Sequence, residues 1–165
     1  MKVISRQRNS RMCIICGLDN PWGVKAPFYN MADGSVITRF KFQEPHQGYP
    51  ERVHGGMITA MIDELGLRGL WSHTLDDNQF GVTISLESKF RKAVPYNVEL
   101  RGRGELLELT SRIFTVAGSI YDDAGTLLAN GVVKYIKLAV PEIASGVQQH
   151  EEMCYLIDDG VTELD

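Results

Sequence analysis

The chain has 165 residues, 44% of them apolar and 23% charged, with a net charge of −4. That length leads us to expect one domain, with a core large enough to fold without disulfides or metals. The composition excludes a disordered chain, and the negative balance excludes a nucleic-acid binder that works by bulk positive charge. The charge is uneven. Seven acidic residues and no Lys or Arg follow Leu138, so residues 1–138 are net +3 and residues 139–165 form an acidic tail. A mildly basic body suits a phosphorylated small molecule as well as it suits an ordinary mixed surface. The chain lacks the run of about 18 apolar residues that a membrane span needs. The apolar stretch Met12 to Cys16, after the basic Lys2, Arg6, Arg8 and Arg11, is too short for a secretory signal. Three cysteines, an odd number, point to reduced thiols and a cytoplasmic protein.

Residues 1–12 are polar and basic and read as a loose start. Cys13-Ile-Ile-Cys16-Gly17 and Asn20-Pro21-Trp22-Gly23 read as turns. From Gly34 to Phe42 the residues alternate, with Val36, Thr38, Phe40 and Phe42 on one side, which predicts a strand. Residues 44–53 contain two prolines and Gly48 and read as a loop. His54 to about Thr74 carries the long helical pattern. Ile58, Met61, Ile62, Leu65 and Gly69 share a stripe about 100° wide, and other apolar residues fill most of the remaining surface, so this helix is expected to be buried on several sides. Glu64 and Arg68 stand at i,i+4 in the favourable order for an ion pair, whereas Asp63 has no opposite charge at i±3 or i±4. The strand patterns Val82–Arg91, Val98–Leu107, Arg112–Tyr121 and Thr126–Leu138 follow. The second is expected to bend at Gly102 and Gly104, and the last two are joined by the turn Asp122-Asp123-Ala124-Gly125. The expected class is α+β, an antiparallel sheet wrapped round one long helix, in a single domain over 1–138.

The informative stretch is His46-Gln-Gly-Tyr-Pro-Glu-Arg-Val-His54-Gly55-Gly56, followed by Asp63-Glu64. Adjacent glycines at a helix start let a ligand approach backbone N–H groups that lack an intrahelical partner, and those groups stabilise a developing oxyanion. They also serve a chain that merely needs freedom in φ and ψ. Asp63 lies mid-helix in apolar surroundings, where an uncompensated carboxylate is costly and usually has a distant partner or a task. That task is general base or nucleophile. Gly56 precedes Asp63 by seven residues, about 10 Å along the axis, so one carbonyl does not readily meet both on the same helix. A composite site across a dimer is therefore expected. Cys13 and Cys16 have metal-ligand spacing. A zinc site needs four ligands, however, and no second CxxC or HxxxH is present, so the pair reads as a turn staple or simple packing, with no metal expected. His73 and His150 have no motif and read as structural or exposed, and Trp22 and Trp71 read as packing anchors.

His54-Gly55-Gly56 with an acid nine positions after the histidine resembles the HGG-motif branch of hotdog-fold acyl-CoA thioesterases, the group that includes the phenylacetate-pathway-type enzymes. The flanking His46-Gln47-Gly48-Tyr49-Pro50, the early Cys13-x-x-Cys16-Gly17…Asn20-Pro21-x-Gly23 and the later Val82-Thr83…Phe90-Arg91-Lys92-Ala93-Val94-Pro95 extend the likeness over residues 13–138. The resemblance implies a five- to six-stranded sheet round the helix, paired as a homodimer or a dimer of dimers. It implies that the Gly55 N–H, beside Gly56, polarises the thioester carbonyl, that His54 shapes that corner, that Asp63 of the partner subunit is base or nucleophile, and that Thr83 positions water. The branch often has Asn where Gly48 stands here, so either Gln47 or His46 is expected to substitute or the activity is expected to be weaker. With Tyr49, these residues would border the substrate. Lys89, Arg91, Lys92, Arg101 and Arg103 suit the phosphates of CoA, or an exposed sheet face. CoA would enter as part of the substrate, with no separate cofactor and neither nucleic acid nor membrane as partner. Two rivals on the same fold are a non-catalytic acyl-CoA binding or sensing protein and a hydratase.

Overall fold

The computed structural model describes residues 1–146 and 153–165; His150 lies outside the described residues. The elements run β1 (Val3–Arg6), β2 (Tyr29–Met31), β3 (Val36–Phe40), β4 (Gln47–Tyr49), β5 (Arg52–Val53), α1 (Gly55–Thr74), β6 (Gly81–Phe90), β7 (Leu100–Leu109), β8 (Ile113–Asp122), β9 (Leu127–Lys137) and α2 (Val140–Ile143). Seven strands form one antiparallel sheet in the order β1-β2-β3-β7-β8-β9-β6, and β4 pairs only with β5. The expected wrap of a sheet round one helix is present, with seven strands where five or six are expected, because two short N-terminal strands extend one edge. None of the described helices is long and apolar enough to cross a membrane.

The helix starts and stops for local reasons. His54 is extended (φ −63°, ψ 135°) and its side chain accepts a hydrogen bond from the Gly56 N–H, as a capping residue does. Leu75 ends the helix in the left-handed region (φ 53°). Ile58, Met61, Ile62, Leu65 and Leu70 are buried in the main core with Phe40, Leu100, Phe114, Val116, Ile120 and Val133. Where α1 crosses the sheet, the strands present a row of glycines. Gly104, Gly118 and Gly131 pair across β7, β8 and β9. A Cβ on Gly104 would fall 2.6 Å from the Leu65 carbonyl, and one on Gly118 would fall 3.2 Å from that of Ile62. Of the two β7 glycines expected to bend the strand, Gly104 thus admits the helix backbone, and Gly102 makes room for the Thr38 and Leu65 side chains.

Three further expectations are corrected. Residues 1–12 are no loose start: β1 pairs with β2, and Gln7, Asn9 and Ser10 are buried. Their polar groups serve buried partners. Asn9 Nδ2 donates to the carbonyls of Cys16 and Ala26 at 2.7 and 3.0 Å, and Gln7 Nε2 donates to that of Arg68 at 3.0 Å. Arg68 is itself 1% exposed. It donates from Nε to Glu64 at 2.8 Å and from Nη1 to the Arg8 carbonyl at 2.7 Å, and its guanidinium lies 4.7 Å from the Phe28 and Trp71 ring centres. In addition, residues 44–53 form a 3₁₀ turn (Glu44–His46) and the β4–β5 hairpin in place of an irregular loop. Trp71 is buried as expected, whereas Trp22 is 64% exposed and anchors no packing; His73 is exposed.

Candidate active site

The N-terminus of α1 opens on a cleft of about 580 Å³ lined by the β4–β5 hairpin, the first turn of α1 and the segment from Phe90 to Val94. His54 Nδ1 accepts the Gly56 N–H at 2.9 Å. In the neutral ring the proton then sits on Nε2, and the Gly56 amide is committed to the cap rather than free for a substrate. The Gly55 N–H has no acceptor among the described residues, and Gly55 lines the cleft. It alone is left as the helix-end donor. Three cations border the cleft: Arg91 and Lys92, and Arg52, which the sequence pattern does not single out. Phe90, 55% exposed, and Tyr49, 76% exposed, add aromatic surface.

Gly48 packs against His54: a Cβ there would lie 3.1 Å from His54 Cα and 3.2 Å from its ring. A side chain at this position needs His54 to give way. His46 does not replace the missing Asn. It is 5% exposed, its Nδ1 accepts from the Gln43 N–H at 3.0 Å, and its Nε2 therefore carries the proton and donates to the Trp22 carbonyl at 2.7 Å. Gln47 is exposed and does not line the cleft. Nor do the other candidate cations. Lys89 pairs with Glu87 at 3.3 Å, Arg101 stacks 5.1 Å from the Tyr121 ring centre, and Arg103 pairs with Asp33 and Glu105. Their strands, β6 and β7, follow one another in sequence but are separated in the sheet by β8 and β9.

Asp63 stands further along α1, outside the cleft. It is half-buried and makes no ion pair among the described residues. The adjacent Glu64 takes the nearby cation, Arg68. Thr83 Oγ1 on β6 donates to Asp63 Oδ1 at 2.6 Å. Tyr135 on β9 donates to the Asp63 carbonyl at 2.5 Å, with its hydroxyl 3.2 Å from Oδ1. Tyr135 is missed by sequence reasoning, since nothing near residue 135 marks it. Burial, together with the charge of Asp63, pushes its hydroxyl well above the ordinary tyrosine range, so it remains a donor. Met61 is fully buried and lies away from the cleft. Within one chain, then, the oriented carboxylate and the free amide are held by the same helix at separate places, about 12 Å apart along its axis.

Residues 51–129 match the model of the thioesterase superfamily. No curated protein matches the chain. Among solved structures, a thioesterase superfamily protein is 24% identical with a TM-score of 0.68, the alignment covering 76% of this chain and 60% of that one. A phenylacetic acid degradation-related protein of Ralstonia eutropha is 23% identical over 68% of this chain and 85% of its own, with a TM-score of 0.60. A hypothetical thioesterase protein of Streptococcus pneumoniae, solved with coenzyme A, is 19% identical over 68% and 87%, also with a TM-score of 0.60. At these identities the likeness is one of fold, and the chain spans only 60% of the first protein's length. Residues 51–129, which build the central helix and β6 to β8, thus match the thioesterase superfamily, and the chain shares the hotdog fold of these structures.

Proposed function

We propose that the protein hydrolyses an acyl-CoA thioester to the free acid and CoA, as a member of the HGG-motif branch. The observation that carries this reading is Asp63: a half-buried carboxylate with no ion-pair partner among the described residues, aimed by Thr83 and Tyr135 and standing mid-way along the helix whose N-terminus offers a free amide. The carboxylate either takes a proton from water as that water attacks the thioester carbonyl, or attacks the carbonyl itself to give an anhydride that water then opens. Thr83 already spends its proton on Asp63, so it holds the carboxylate and meets water only as an acceptor. The Gly55 N–H of the other subunit takes the charge developing on the carbonyl oxygen, next to His54 and the capped Gly56. The solved coenzyme A complex on this fold supports CoA as the leaving group, and Arg52, Arg91 and Lys92 suit its phosphates. CoA enters with the substrate, and hydrolysis needs no redox cofactor. β6 is an edge strand of ten residues with Ile84 52% exposed, which supports pairing of two copies along that edge, and two such dimers would make a tetramer. The three free thiols suit a cytoplasmic setting.

The test is thiol release across a panel of acyl-CoAs. Asp63→Asn is expected to lower kcat by about 10²–10⁴-fold. Gly55→Pro removes the amide hydrogen while keeping a residue that helices accept at this position. Each variant alone is expected to be inactive. Refolded together in equal amounts they are expected to regain about a quarter of wild-type activity, because half the dimers are mixed and each holds one intact site. No recovery would place both groups in one chain. A stable acyl-CoA complex with no thiol release from the wild type would favour the non-catalytic binder. Arg91→Ala or Lys92→Ala should raise KM for acyl-CoA more than for a short thioester without the nucleotide. Equal effects on the two substrates would remove the phosphate role.

A further inference from the structure

Glu64 follows Asp63 on α1 but belongs to a different cluster. Its Oε1 accepts from Arg68 Nε at 2.8 Å, and its Oε2 lies 3.6 Å from Cys13 Sγ. Cys13 and Cys16 occupy a tight turn in which the Gly17 N–H donates to the Cys13 carbonyl at 2.9 Å. The N–H groups of Ile15 and Cys16 point at Cys13 Sγ from 3.3 and 3.5 Å. Only glycine fits at 17, where a Cβ would fall 2.4 Å from the Cys13 carbonyl oxygen. Ser10 Oγ sits 3.2 Å from Cys16 Sγ. The turn therefore presents two sulfurs together and aims two backbone N–H groups at Cys13 Sγ.

We propose that Cys13, Cys16 and Glu64 bind one zinc ion, with water in the fourth position. The ligand atoms of all three lie within 4.8 Å of one another. Tetrahedral zinc with Zn–S of about 2.3 Å and Zn–O of about 2.0 Å sets sulfur and oxygen about 3.5 Å apart, and the observed separation is 3.6 Å. The charges close as well. Binding releases two thiol protons to solvent, and two thiolates, one carboxylate, the divalent ion and buried Arg68 then sum to zero. Arg68 holds Oε1 and leaves Oε2 for the metal, the way an outer partner orients a ligand. Cys13 and Glu64 are half-buried, so the ion has access. The third ligand comes from α1, far along the chain from the CxxC pair. Zinc here clips the N-terminal segment to the central helix and takes no part in thioester chemistry.

The experiment uses the full chain in a Cys154→Ser background, which removes the exposed third thiol, kept reduced with a phosphine. Zinc is titrated against a chromophoric chelator, and cobalt(II) is followed by absorption. One equivalent of zinc per chain is expected. Cobalt should give thiolate charge transfer in the near ultraviolet and tetrahedral bands in the visible. Zinc should raise Tm. Cys13→Ser leaves the Glu64–Arg68 pair in place and should weaken zinc binding at least about 100-fold; Glu64→Gln should weaken it about 10-fold. Substoichiometric binding at micromolar zinc, equal affinity in the wild type and Cys13→Ser, or a cobalt spectrum without thiolate bands would overturn the site. So would a Cys13–Cys16 disulfide, with no zinc retained, in protein isolated under reducing conditions. Thiol release is a separate readout, and its absence would leave the zinc result standing.

Discussion

Asp63 keeps its charge uncompensated by any ion pair among the described residues and is aimed by two hydroxyls, one from each of two neighbouring strands. Tyr135 is 3% exposed and its hydroxyl reaches Asp63, so it acts through that carboxylate as a positioning residue. Its ring stacks on Phe114 at 4.5 Å with an interplanar angle of 7°, a contact that phenylalanine would keep. Tyr135→Phe therefore removes the hydroxyl alone. It should cost about 1 kcal/mol of stability, the scale of one buried hydrogen bond. The expected kinetic effect is a fall of several-fold in kcat with KM unchanged, measured on the same thioester. A rise in KM with kcat intact would mean that Tyr135 shapes binding instead. Asp63 was legible as unusual in the sequence because its charge is unmatched along the helix. Tyr135 was not, because its proximity is a product of strand register.

At the scale of the element, α1 is shaped by what it omits. Gly66 lies on the helix face where the Tyr135 hydroxyl arrives: a Cβ there would fall 1.7 Å from that oxygen and 2.4 Å from Cζ. Alanine ordinarily favours a helix over glycine by about 1 kcal/mol. Here overpacking should outweigh that gain, for a net loss of about 1–3 kcal/mol for Gly66→Ala. The measurement is urea unfolding of the two proteins, together with thiol release. Because the ring has to move, activity should fall with stability. A variant as stable as the wild type would show that Tyr135 relocates at no cost. The amphipathic stripe and the His54 start of this helix are local properties and could be read from sequence. In the row of glycines beneath it, Gly104 reads in the sequence as a bend point, whereas its tertiary role is to let the helix backbone come close.

At the scale of the whole molecule, the described part of the acidic tail closes over the N-terminal strands. The Val3 N–H donates to the Thr162 carbonyl at 2.9 Å, and Val161 and Leu164 pack on Val3, Tyr29, Met31 and Ile37. Asp159 Oδ2 accepts from Arg6 Nη1 at 2.7 Å and from the Tyr29 hydroxyl at 2.6 Å, while Arg39 reaches Asp165. Burial raises the Asp159 pKa, but the donors from Tyr29, Val161 and Arg6 outweigh it and hold the carboxyl below the ordinary range. Tyr29 is pushed up to about 12 by burial and by Asp159. A carboxyl depressed in the folded state adds stability above its unfolded pKa of about 3.9, and that stability is lost as pH falls through the lower folded value. Asp159→Asn should therefore lower Tm by about 1–3 °C near neutral pH, allowing for solvent screening of a partly exposed pair. The difference should shrink towards zero below about pH 4. A gap that is constant with pH would assign the effect to packing.

The sequence by itself determined what depends on neighbours along the chain: the long apolar helix and its start at His54, the period-two strands, the turn at 122–125, and a carboxylate without a local counter-charge. It also carried the motif that led to the hotdog architecture. Tertiary structure decided what depends on residues that meet only when strands are ordered. It joined Tyr135 and Thr83 to Asp63, and it brought Arg52 to the helix-end cleft while placing Lys89, Arg101 and Arg103 elsewhere. It buried polar residues near the N-terminus around Arg68 and set Glu64 beside the two cysteines. The physical reason is that helix periodicity and capping act over three or four residues. Sheet order, and the partner each buried polar group needs, are settled by packing between segments that can lie a hundred residues apart.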